Sequence, residues 1–93
     1  MNIFSALVLY AGKWNEKNVR NFSTEEIAAV DKAEVVESQY GYSVCFFMKT
    51  GGMTFVPLDQ NSSLGIGAQV DLTKAQLVTL QRPGEEDIYR VRA

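Results

Sequence analysis

The stretch from Ser43 to Leu58 constrains this chain more than any other. Two β-forming runs, Val44-Cys45-Phe46-Phe47-Met48 and Met53-Thr54-Phe55-Val56-Pro57-Leu58, flank the pair Gly51-Gly52. Glycine takes positive φ without steric cost, so two of them between such runs predict a β-hairpin. With Gly51 and Gly52 as the loop, Val44, Phe46, Met48, Phe55 and Pro57 share one face. Cys45, Phe47, Val56 and Leu58 share the other. Both faces are apolar, and both need cover, from a closed barrel and a helix or from a second copy of the protein. Pro57 has no N–H for a ladder, which places its strand at a sheet edge or ends it there.

A second apolar run, Ile3 to Ala11, reads as a first strand. Ile3, Leu7 and Leu9 lie on one face and Phe4, Ala6, Val8 and Tyr10 on the other, the pattern of a central or interface strand. The run is too short to span a bilayer and lacks the basic residues that precede the apolar region of a signal peptide. A cytoplasmic location and no membrane partner are therefore expected. Between this run and Phe22 the chain is polar and aperiodic, a loop or an irregular edge strand.

One helix start stands out. Ser23 followed by Glu26 forms a capping box, and Phe22 before the cap is placed to pack on Ile27. The apolar spacing of Ile27 and Val30 sustains a helix over 24–32. Val35-Val36 opens another strand, and Gly41 suits a left-handed turn position. From Asp59 to Gln69 the composition is that of a loop. Val70 to Arg82 is strand-like, but Lys74 and Gln76 interrupt its apolar alternation, so a break is expected near Thr73 to Ala75. A four-residue loop, Pro83 to Glu86, would pair Arg82 with Asp87, Leu80 with Tyr89 and Val78 with Val91.

These elements predict one mainly β domain over residues 1–93 with one short α-helix. The expected architecture is a small antiparallel barrel, OB-like or SH3-like, or a strongly curved sheet. A dimeric open sheet is the alternative. The two-faced apolar strands predict a homo-oligomer, most simply a homodimer.

The chemistry is defined mostly by what is missing. The sequence contains no histidine, which removes the commonest general base and the usual zinc ligand. Its single cysteine, Cys45, sits in an apolar run and reads as a small core residue. Gly12-Lys13 and Gly65-Ile66-Gly67 are only fragments of phosphate-binding motifs, and Glu85-Glu86-Asp87 reads as a solvated hairpin tip. No enzyme activity, cofactor or metal is expected.

The net charge of −2 gives no global attraction to nucleic acid, so any such binding has to be local. The one locally basic stretch carries Tyr10, Lys13, Trp14, Lys17, Arg20 and Phe22, with a single acid, Glu16. Bases that follow a backbone and aromatics that stack on bases are what single-stranded DNA or RNA binding requires. Arg90 and Arg92 on the last strand could extend that surface. In the competing reading Trp14 and Phe22 anchor the core and the bases are solvated edge residues.

The segments 40–49, 54–58 and 84–91 resemble parts of short uncharacterised β-rich proteins from gut bacteria and their phages. The resemblance implies a small β domain and transfers no active-site residue. Two functions are thus expected to compete: a non-enzymatic module for single-stranded nucleic acid, and a homo-oligomeric structural or inhibitory protein that binds another protein or a small ligand.

Overall fold

The computed structural model describes residues 14–39, 41–59 and 62–93. The expected strand Ile3 to Ala11, with Tyr10 and Lys13, lies outside the described residues. Six strands and one helix follow in the order β1 (Asn15–Asn21), α1 (Thr24–Ala29), β2 (Val30–Ser38), β3 (Gly41–Met48), β4 (Met53–Pro57), β5 (Gln76–Gln81) and β6 (Ile88–Arg92). They form two antiparallel sheets, β1-β5-β6 and β2-β3-β4. The fold is mainly β, as expected. Among the described residues, however, no ladder closes the sheets into a barrel. They join at one seam, where Leu58 bridges Val91 in parallel and the Asp59 N–H donates to the Val91 carbonyl at 2.8 Å.

The β3–β4 hairpin forms where the glycines predicted it, with a longer loop than expected. The Met48 N–H donates to the Gly52 carbonyl at 2.8 Å, and the Gly51 N–H donates to the Met48 carbonyl at 2.9 Å. The loop is therefore Lys49-Thr50-Gly51, three residues with a left-handed third, and Gly52 belongs to the ladder. Only Gly51 of the pair has positive φ, at 99°. The loop is one residue longer and starts two residues earlier, so β4 shifts by three positions against β3 and exchanges its faces. Val44 opposes Val56, and Phe46 opposes Thr54. Val44, Phe46, Met48, Thr54 and Val56 face inward, while Met53, Phe55 and Pro57 share the outer face with Cys45 and Phe47. The outward turn leaves Phe55 57% and Met53 59% exposed.

The last hairpin shows a similar one-residue correction. Gly84 takes φ 76° in the tip, the Glu85 N–H donates to the Arg82 carbonyl at 3.0 Å, and Leu80 pairs with Ile88 rather than Tyr89. Leu77 and Thr79 consequently oppose Val91 and Tyr89. The expected break falls at residues 72–74, a turn closed by the Lys74 and Ala75 N–H groups on the Asp71 carbonyl.

Helix α1 keeps its capping box: the Glu26 N–H donates to Ser23 Oγ at 3.1 Å, and the Ser23 N–H donates to Glu26 Oε1 at 2.8 Å. It ends at Ala29, three residues before the expected Lys32, because β-branched Val30 takes extended backbone and opens β2. The polar stretch before it is strand β1, at the edge of its sheet, with an irregular register between Glu16 and Asn18. Beside β2, residues 67–70 add hydrogen bonds to Val35 and Ala33 that cover the second edge of that strand.

The core lies between the inner faces. Val35, Val44 and Val91 are fully buried, each burial stabilising by about 1.5–3 kcal/mol. Leu58, Val70 and Leu72 from the connecting loops complete the cluster.

Candidate functional site

The two sheets diverge from the Leu58–Val91 seam, and the space between them is an open cleft of about 410 Å³. Its floor is Phe46 and Met48 of β3 with Val56 of β4. Leu77 and Tyr89 form the opposite wall, and Phe22, Ala29 and Val30 close the end at α1. Phe22 is held by Phe46, their ring centroids 5.9 Å apart and tilted at 51°.

Arg20 and Glu26 are the charged residues of the lining, and each satisfies the other. Arg20 Nη1 donates to Glu26 Oε1 at 2.7 Å and Nη2 donates to Oε2 at 3.0 Å, a bidentate pair. The Arg20 hydrogen bonds, helped by the Ser23 N–H, hold the Glu26 carboxyl at about 2 and raise the Arg20 guanidinium above its usual range. A carboxyl lowered in the folded state adds stability above its unfolded value near 4.5, and that contribution is lost as pH falls through about 2. Glu26 is 40% exposed, so solvent screening limits the contribution to about 1 kcal/mol. In Arg20→Ala the Glu26 titration should move up toward 4.5, read from its side-chain carboxyl carbon by NMR. An unmoved midpoint would show that the capping box alone sets it.

The residues singled out by the basic stretch do not converge. Arg20 and Phe22 line the cleft. Arg20 is registered against Leu77 on the cleft face of β5, whereas Arg90 and Arg92 are registered against Val78 and Gln76 on its opposite face. Lys17 sits at the other end of β1, where Nζ donates to Asp87 at 3.1 Å. Arg92 contacts Glu16 and also donates to Asp59 at 3.0 Å. Asp87 was expected to pair with Arg82 and instead meets Lys17. Lys17, Arg20 and Arg92 thus stand among Glu16, Glu26, Asp59 and Asp87, three cations against four carboxylates. Local sequence counted only Glu16, because Asp59 and Asp87 arrive from distant strands.

Trp14 is half-buried, with its Nε1 buried and without a hydrogen-bond partner among the described residues. The Arg82 guanidinium lies 5.4 Å from the ring centroid. Arg90 lines a separate hollow of about 350 Å³ with Tyr42, Asp59 and Ser62.

Sequence reasoning missed Met48, Val56, Leu77 and Tyr89 as cleft residues. The signal that could have found them is hairpin register, since a three-residue β3–β4 loop puts Val56 beside Val44 on the inner face. Cys45 is buried on the outer side of β3, and burial, followed by the Glu34 carboxylate, pushes its thiol up. That is the setting of an inert thiol. Among the described residues no group of three His, Cys, Asp or Glu side chains could hold a metal, and no helix is long and apolar enough to cross a membrane.

No protein-family model matches the chain, and none of the curated proteins or solved structures compared with it is similar.

Proposed function

We propose that this protein is a non-catalytic binding module whose partner inserts apolar groups into the cleft between the two sheets. The observation that carries this reading is the lining: Phe22, Phe46, Met48, Val56, Leu77 and Tyr89 beside a single ion pair. A concave, mostly apolar site with a few placed polar groups is the usual form of a ligand pocket. Removing apolar surface from water drives such binding, and no general base is needed.

Single-stranded nucleic acid is the competing partner, carried by the basic-aromatic content of β1 and its flanks. Phosphates there would have to displace carboxylates already paired with Lys17, Arg20 and Arg92. The cleft asks for no such exchange, which is why it is favoured.

The test is a fluorescence titration with anilinonaphthalene sulfonate at submicromolar protein. Val56→Glu places a negative charge on the cleft floor, which interrupts the apolar lining and repels the sulfonate of the probe, and should weaken probe binding about tenfold, roughly 1.4 kcal/mol. Lys17→Glu, outside the cleft, should leave it unchanged. Equal affinity in wild type and Val56→Glu, together with salt-sensitive quenching of Trp14 by oligo-dT, would reverse the choice.

A further inference from the structure

The hollow beside the Leu58–Val91 seam is separate from the cleft, and the backbone fastens its walls. The Leu58 N–H donates to the Tyr42 carbonyl at 2.9 Å, and the Asp59 N–H donates to the Val91 carbonyl at 2.8 Å. The start of β3, the end of β4 and strand β6 are thereby tied together. The Ser62 N–H closes a turn on the Asp59 carbonyl at 3.0 Å. These bonds place Tyr42, Leu58, Asp59, Ser62 and Arg90 around a space of about 350 Å³.

The charges around this space do not balance. Arg90 and Arg92 stand two positions apart on one side of β6, and Asp59 answers only the second. Asp59 Oδ2 accepts from Arg92 Nε at 3.1 Å and from Nη2 at 3.0 Å, and Arg92 contacts Glu16 as well. Arg92 thus has two carboxylates. Arg90 has none, and no hydrogen-bond acceptor, among the described residues, whereas Arg20 and Arg82 each have a partner. Arg90 is nevertheless half-buried and lines the hollow. A guanidinium that has given up part of its water without gaining a counter-charge is where an anion binds with the most gain. Two hydroxyls can add donors to it. That of Tyr42 has no partner among the described residues, and Ser62 Oγ accepts from the Leu64 N–H at 3.2 Å, which leaves its own proton to donate.

We infer that this hollow binds a small organic carboxylate, with the carboxylate on the Arg90 guanidinium and an apolar body against Pro57, Leu58 and the Tyr42 ring. Size and charge select that class. The volume lies near the lower end of the range for ligand pockets, about 300–1,000 Å³, which suits a molecule of one ring or a short chain. One unpaired guanidinium matches one negative charge, and its planar fork fits a planar carboxylate through two parallel hydrogen bonds. A dianion such as phosphate would set a second, unanswered charge beside Asp59.

The site is tested by a proton–nitrogen NMR titration of the full chain with sodium benzoate, and with benzamide as the uncharged molecule of the same shape. Benzoate should shift the Arg90 Nε–H and the backbone amides of Leu58 and Asp59 together, to saturation at one affinity. Benzamide and inorganic phosphate should each bind at least about tenfold more weakly. Arg90→Gln should abolish the saturable shifts, and Arg90→Lys, which keeps the charge and loses the fork, should weaken them severalfold. Arg90 donates no hydrogen bond to the described residues, so both variants should melt as the wild type does. Tyr42→Phe provides a second probe of the same hollow and should weaken benzoate while leaving the Arg90 guanidinium in place. Absence of saturable benzoate shifts, equal affinity for benzamide or phosphate, or an Arg90→Gln variant that still binds would overturn the site. Benzoate shifts confined to Met48 and Leu77 would overturn it too, and would leave the cleft reading standing.

Discussion

Replacing Phe46 with alanine should lower the unfolding free energy by about 3–5 kcal/mol, the range for truncating a buried phenylalanine. Phe46 is 6% exposed, joins the core cluster and holds the ring of Phe22. Its loss opens space on both sides at once: toward Val44 and Ala33 beneath it and toward the cleft above. A domain of this size has about 5–15 kcal/mol of stability in all, so the variant should be partly unfolded near physiological temperature. Urea denaturation followed by Trp14 fluorescence measures the change. A loss below about 1 kcal/mol would mean that Phe46 is not a shared wall of core and cleft.

The next largest effect separates two adjacent glycines. Gly51 has φ 99°, where an L-residue is strained and a β-branched one more so. Gly51→Val should cost about 1–2 kcal/mol or more. Gly52 is not at positive φ, and a Cβ built on it meets nothing within 4 Å. Gly52→Val should therefore change stability by no more than about 0.5 kcal/mol. Thermal melts of the two variants side by side decide it. Equal costs would restore a two-residue loop, and with it the register that turns Val56 away from the cleft.

That comparison also shows how far the sequence could be read. Val44-Cys45-Phe46-Phe47 and Phe55-Val56 announce strands through their β-branched and aromatic content, and Ser23 with Glu26 announces the helix start. Those signals are local, and the structure contains them. Loop length is a finer matter: a Gly-Gly pair permits a two-residue turn or a three-residue turn with one left-handed glycine, and the difference moves every side chain of β4 to the other face. The same ambiguity at Pro83-Gly84 moved Tyr89 and Val91 by one partner. Both sides of the cleft depend on these two registers, so its lining was not legible from pattern alone.

The charged groups were hidden for another reason. Arg20 and Glu26 are six residues apart and could have been matched, but Lys17 with Asp87 and Arg92 with Glu16 span 70 and 76 positions. Pairs at that separation follow from the order β1-β5-β6, which brings the first and last described strands into one sheet. A basic stretch judged by its sequence neighbours looked cationic because its carboxylates came from elsewhere.

The most direct test of the cleft as the binding site is an NMR titration of dilute protein, with methyl labels on Met48, Val56 and Leu77, against anilinonaphthalene sulfonate. The account predicts that these three methyls shift together and saturate at one common affinity, while the backbone amides of Lys17 and Asn18 on β1 stay in place. Shifts confined to β1 and the Trp14 indole, with the three methyls unmoved, would contradict it.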